Sequence, residues 1–168
     1  LFLITIALVI CSLSNAATMS NRGKEFVKKH ETCKLTSYWD ANGYSIGYGH
    51  HKKNIKKGMK ITKRQADIYF NQDIKESEKY ATMLLNQLPY KYKFNQSIID
   101  GLIDLVYNAG VGGAKNSPFY KRLKKCRISN GKINKQDLNY SIAAYKSSCI
   151  SAPGHKVRRT AMYNMMLK

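Results

Sequence analysis

Acidic residues are scarce in this sequence: of 168 residues only 10 are Asp or Glu, against 29 Lys and Arg, which leaves a formal charge of +19 at pH 7. Proline is almost as scarce, and three of them leave no room for a long Pro-rich linker. Four cysteines are too few for a disulfide-dense scaffold of the kind that replaces a hydrophobic core. There is no internal repeat and no low-complexity tract. What is present argues for packing: 43% hydrophobic and 11% aromatic residues exclude a disordered chain. The length suits one domain, or two small lobes around a shared core.

The opening stretch LFLITIALVICSLSNAA carries no charge and holds an apolar run of about 13 residues before small residues. Ser14 and Ala16 stand at the −3 and −1 spacing of a signal peptidase site, so residues 1–17 are expected to be a secretory signal peptide and 18–168 the mature domain. A retained membrane anchor is the alternative, and it needs about 20 apolar residues. Secretion places Cys33, Cys126 and Cys149 in an oxidising compartment, where an odd count leaves one thiol over. Cys126 with Cys149 is the expected disulfide, both lying in the C-terminal third and closing a loop worth about 3 kcal/mol in the chain-entropy model. A nucleophilic Cys33 is the sharper alternative and would need a His base beside it.

Along the mature chain, residues 21 to about 29 read as a short helix with Phe26 and Val27 facing inward. Strand formers follow in KLTSYWDANGYSIGYGHH, where Asn42-Gly43 signals a hairpin. Thr62 and Gln65 form a capping box that opens a helix of roughly 25 residues, bearing Ala66, Phe70, Ile74, Ala81, Leu84, Leu85 and Leu88 at helical spacing. A helix of nearly 40 Å is long enough to join two lobes. The stretch from Ile98 to Val106 is the most apolar helix of the mature chain and closes at Asn108-Ala109-Gly110. Ser117-Pro118 opens another, and two more are expected near 135–145 and 156–167.

With ten acids, each can be placed. Asp67, Asp73, Glu76 and Glu78 lie among lysines on the long helix, a pattern that a solvated face explains. Asp100 and Asp104 stand one turn apart on the apolar helix. Asp137 suits the first turn of a helix, and Glu25 sits among lysines on the first helix. Glu31 and Asp40 remain. Glu31 ends the first helix, where the dipole disfavours a carboxylate that has only a structural purpose, and Asp40 lies in the hairpin, so both can border one cleft. Two carboxyls across a cleft are what glycoside hydrolysis needs, one as acid and one as base or nucleophile.

Glu31, eight intervening residues, Asp40, a Gly-containing turn, Ser45 and then IGYGH together resemble the active-site signature of the phage-type lysozymes, the muramidase family that includes the T-even phage lysozyme. The resemblance continues through ITKRQADIYFNQDI, LIDLVYNAG, NSPFYKRL and GHKVRR, covering nearly all of residues 22–168. It implies an α+β lysozyme fold, with a small N-terminal lobe bearing the hairpin joined by the long helix to a helical C-terminal lobe. It also implies cleavage of the β-1,4 bond between N-acetylmuramic acid and N-acetylglucosamine, without a cofactor. In that pattern Glu31 is the general acid, Asp40 activates water, and Ser45 takes the place of the usual Thr that holds it. Two departures stand out. Only four residues separate Asp40 from Ser45 where the family has five, and Met162 stands where a Glu commonly follows the Arg-Arg pair.

Around such a cleft, Tyr44 is a candidate for stacking on a sugar face and Asn108 for contact with an N-acetyl group, although a helix C-cap explains Asn108 equally well. His50 is a candidate hydrogen-bonding group at the edge of the substrate site. His50 and His51 could suggest a metal pair, but adjacent strand residues point to opposite faces, so no metal is expected. Arg158 and Arg159 read as packing and pairing within the helical lobe. The charge first suggests nucleic acid. The signal peptide, the spread of lysines and the lack of a recognition motif argue instead for the polyanionic bacterial envelope as partner. The expectation is a secreted monomer with no stable membrane insertion. Its alternative is a non-catalytic cationic protein that binds the envelope or perturbs the membrane as an antimicrobial.

Overall fold

The computed structural model describes residues 16–40, 42–149 and 153–167, so the expected signal peptide lies outside it except for Ala16 and Ala17. Residues 17–20 form a strap across the helical part of the molecule. The N–H of Ala17 donates to Thr82 Oγ1 (2.8 Å), that of Met19 to Glu78 Oε1 (2.8 Å) and that of Ser20 to Asp100 Oδ1 (2.9 Å). Ser20 then caps α1 (Asn21–His30), its hydroxyl accepting from the Gly23 N–H at 3.0 Å. Val27 is buried beneath this helix and Phe26 only partly.

Strands β1 (Lys34–Asp40), β2 (Gly43–Gly47) and β3 (His50–His51) make an antiparallel sheet in that order. Tyr38 pairs with Ser45, Trp39 with Tyr44 and Asp40 with Gly43, while Ser45 and Ile46 pair onward with His51 and His50. Gly43 is therefore a strand residue and not the turn residue its sequence context predicts. Its missing side chain makes room for His51: a Cβ there would lie 2.8 Å from His51 Cε1. Asn130-Gly131 carries the same hairpin signal and does make the turn, with φ of 50° and 70° between β4 (Ile128–Ser129) and β5 (Lys132–Ile133).

Helix α2 (Lys63–Asn86) begins where the capping box predicts, Thr62 Oγ1 accepting from the Gln65 N–H at 3.1 Å. Its buried face includes Ala66, Phe70, Ile74, Ala81, Leu84 and Leu85. Helix α3 (Gln96–Asn116) packs on it and breaks at Gly110 (φ 68°, ψ 169°), the expected closing point, before a further helical stretch continues to Asn116. Helices α4 (Pro118–Leu123), α5 (Lys135–Ala144) and α6 (Pro153–Met166) complete the larger lobe. Ile98, Leu102, Ile103, Leu105, Phe119 and Tyr120 are at its centre. Met162, at the position of the family's usual Glu, is fully buried in that core. Ile46 and Ile55 of the small lobe are buried outside it. No helix among the described residues is long and apolar enough to cross a membrane.

The expected Cys126–Cys149 disulfide is not formed. Cys33, Cys126 and Cys149 are all free thiols. The two sulfurs are held by different neighbours: Cys126 Sγ is buried 3.4 Å from Ser141 Oγ, whereas Cys149 Sγ donates to the Gly113 carbonyl at 3.3 Å. Proximity in sequence brought neither to the other, because Cys126 follows α4 and packs toward α5 while Cys149 packs toward the C-terminal end of α3.

Candidate active site

Helix α1 ends at Glu31, whose backbone turns extended while its N–H still donates to the Val27 carbonyl at 3.0 Å. The side chain leaves the helix toward the larger lobe, where Oε1 accepts from Arg158 Nη1 of α6. Oε2 looks the other way, toward Gly49, where an added Cβ would be 3.9 Å from it. Gly47 and Gly49 both have positive φ (66° and 93°), and this backbone, which L side chains rarely adopt, folds β3 back beside Glu31.

Arg158 is itself fixed from behind. Its Nε and Nη2 donate to Asp104 Oδ1 at 2.9 and 2.7 Å, and Asp104 Oδ2 accepts from Arg159 Nη1 (2.8 Å) and the Tyr145 hydroxyl (2.7 Å). Asp104 has no exposure at all. Burial alone would pull the Arg158 guanidinium down, but the charges of Asp104 and Glu31 outweigh it and push it above its ordinary value. Arginine forks suit this arrangement because several planar donors can engage two carboxylates at once. The Asp104 network was not foreseeable from the helix pattern alone. A carboxylate on the buried face of the most apolar helix requires a cation, however, and Arg158-Arg159 was the available pair.

Across the sheet, Asp40 is exposed at the end of β1, and its Oδ2 accepts from Ser45 Oγ at 3.2 Å. The shortened turn therefore leaves the serine hydroxyl within reach of the carboxylate. Ser45 is completely buried, Ile46 points into the small lobe's interior, and Ser45 Oγ also lies 3.0 Å from His51 Nδ1. Tyr38, paired with Ser45, feels the charge of both acids. Burial raises its hydroxyl above the ordinary phenol value, and the charges of Asp40 and Glu31 raise it further, with Ser45 acting in the opposite sense.

The candidate substrate contacts are dispersed. Tyr44 meets Trp39 edge to face (5.2 Å, 83°) and lines a groove of about 780 Å³ with Lys53, Lys56 and Lys57. His50 is buried, bonded through Nδ1 to Asp73 (2.9 Å) and stacked on Tyr69 at 4.2 Å, so it ties the sheet to α2. Asn108 Oδ1 accepts from Arg159 Nη2 at 2.5 Å. His50 and His51 thus face different partners, as strand alternation requires. A second hollow of about 320 Å³ runs between the sheet and the helices, lined by Gly49, His51, Glu76, Tyr80, Tyr107 and Val111 among others. Neither Glu31 nor Asp40 lines it. Gly49 and His51 do, so it extends the cleft away from the carboxylates. Tyr107 donates from its hydroxyl to the Tyr48 carbonyl (2.7 Å); burial, with Glu31 and Asp73 nearby, raises that hydroxyl well above its usual value.

Comparison with known proteins follows the same frame. The phage lysozyme family model matches residues 28–161, spanning the hairpin, both long helices and the Arg158-Arg159 pair. The chain belongs to the phage lysozyme family. This member is 30% identical over 145 residues to the endolysin of Acyrthosiphon pisum secondary endosymbiont phage 1, covering 85% of this chain and 93% of that one. Among solved structures it resembles an endolysin from Escherichia coli O157:H7 phage FAHEc1, at 27% identity and a TM-score of 0.66, over 90% of this chain and 94% of the other. The muramidase domain of SpmX from Asticaccaulis excentricus shares the fold at 17% identity, with a TM-score of 0.72 and coverage of 90% and 98%.

Proposed function

We propose that this member of the family is a secreted muramidase in which Glu31 is the general acid and Asp40 activates the attacking water. Family membership makes the chain a peptidoglycan-hydrolysing glycoside hydrolase; the residue roles, the sugar bond and the route out of the cell are the proposal. The observation that carries it is the pair of carboxyls that both act on the Tyr38 hydroxyl, one fixed by Arg158 and one bonded to Ser45. Glu31 passes a proton from Oε2 to the glycosidic oxygen as the bond from C1 of the N-acetylmuramic acid residue breaks. A water delivers its oxygen to C1 and its proton to Asp40. Ser45 is fully buried and so does not hold that water itself, as the family's usual Thr would; it acts on Asp40, through its hydrogen bond to Oδ2. The uncharged apolar stretch before Ala17 supports secretion, and N-terminal sequencing of the exported protein should begin at Ala17 or Thr18. A single unit suffices for these roles, so the working form is a monomer.

The test is reducing-end release from purified peptidoglycan, wild type beside Glu31→Gln. The substitution removes the transferable proton and keeps the shape, so hydrolysis should fall by about a hundredfold or more while wall binding by co-sedimentation is unchanged. A variant keeping more than about a tenth of the rate would end the general-acid assignment.

A further inference from the structure

His51 has no part in the roles above, yet the sheet register sets it directly opposite Ser45. It is exposed, and it lines both the hollow beyond the carboxylates and the lysine-bearing groove. Its Nδ1 is 3.0 Å from Ser45 Oγ, which is 3.2 Å from Asp40 Oδ2. A hydroxyl has one proton to donate. Both contacts are hydrogen bonds in one arrangement only: Nδ1 carries a proton and donates to Oγ, and the Ser45 O–H donates to the Asp40 carboxylate. If the ring's only proton is on Nε2, Nδ1 and Asp40 compete for the same hydroxyl proton.

We propose that His51 is a positioning residue for hydrolysis, its Nδ1–H locking the Ser45 hydroxyl onto Asp40 Oδ2 and so aiming Oδ1 at the attacking water. Oδ1 accepts no hydrogen bond among the described residues, which leaves it available to take the water's proton. Two donors in line toward one carboxylate polarise one another, so the lock is stronger than its separate bonds. The charged and titratable groups facing His51 are Asp40 through Ser45, with Tyr38 behind it, from β1, and Asp73 and Glu76 from α2. Lys52 follows it in the chain, and Lys53, Lys56 and Lys57 lie on the groove side. Asp73 is engaged by His50 and Glu76 by Lys52.

This inference rests on the Asp40 role proposed above. The experiment measures kcat and KM on soluble peptidoglycan fragments for wild type, His51→Ala, His51→Asn and Asp40→Asn. His51→Ala should lower kcat about tenfold with KM within about twofold, a misplacement effect. His51→Asn, whose amide N–H₂ can take the place of Nδ1–H, should recover most of kcat. Wild-type kcat in His51→Ala, or a His51→Asn variant no more active than His51→Ala, overturns the proposal. Asp40→Asn separates the two readings. If it stays active, the Asp40 role fails; if it is inactive while His51→Ala is unaffected, only the positioning role fails.

Discussion

Both oxygens of Asp104 are engaged, by Arg158 on one side and by Arg159 and Tyr145 on the other, in a place water does not reach. Replacing the carboxylate with an amide leaves two buried guanidinium groups short of a counter-charge, which costs far more than the pair contributes against an apolar substitute. Asp104→Asn should therefore lower unfolding free energy by about 3–5 kcal/mol in urea titrations. A loss under about 1 kcal/mol would mean that Glu31 alone neutralises the arginines. The same network shows what sequence could and could not tell at this scale. Glu31 and Asp40 emerged by elimination because ten acids are few enough to explain one by one. The partners of Asp104 did not, because they lie 54 and 55 residues further along the chain and nothing local announces them.

Among the elements, the hairpin is where local signals and tertiary demands diverge. Thr62 and Ser117 cap their helices as their sequences predict, since a cap depends on only three or four residues. Asn42-Gly43 marks a hairpin that does form, but Gly43 sits in the strand and not the turn, where its missing side chain answers to the close approach of the His51 ring. The atoms nearest the added methyl of Gly43→Ala all belong to the ring, a side chain able to swing away, so stability should change by less than about 1 kcal/mol. The swing would separate Nδ1 from Ser45, and kcat should fall to the level of His51→Ala. Thermal unfolding beside kinetics checks this. A variant that keeps full activity would show that the ring finds Ser45 without the space Gly43 provides. The cysteines are a second divergence: Cys126 and Cys149 are close in sequence, but α4 and the end of α3 hold them against unrelated neighbours.

For the molecule as a whole, the positive charge is spread along the chain, and the small lobe around the candidate site carries its share. Between residues 34 and 61 the only acid is Asp40, while Lys34, Lys52, Lys53, Lys56, Lys57 and Lys60 are all in that stretch. Of the lysines lining the groove, Lys52 alone has a carboxylate partner among the described residues. An uncompensated field of this kind draws the small lobe toward a polyanionic wall, and salt shortens its reach from about 10 Å at 0.1 M to about 3 Å at 1 M. Co-sedimentation with anionic cell walls should weaken steeply over that range while hydrolysis of a neutral chitooligosaccharide changes little. If both decline together, the field is not acting through association.

The bond from Arg158 to Glu31 spans 127 positions of the chain. Between the two, translation lays down the hairpin and both long helices, so the Glu31 side chain waits unaimed until α6 has been made and packed. The carboxyl and its anchor thus meet only across the assembled lobes, and loosening α6 would release Glu31 without touching it.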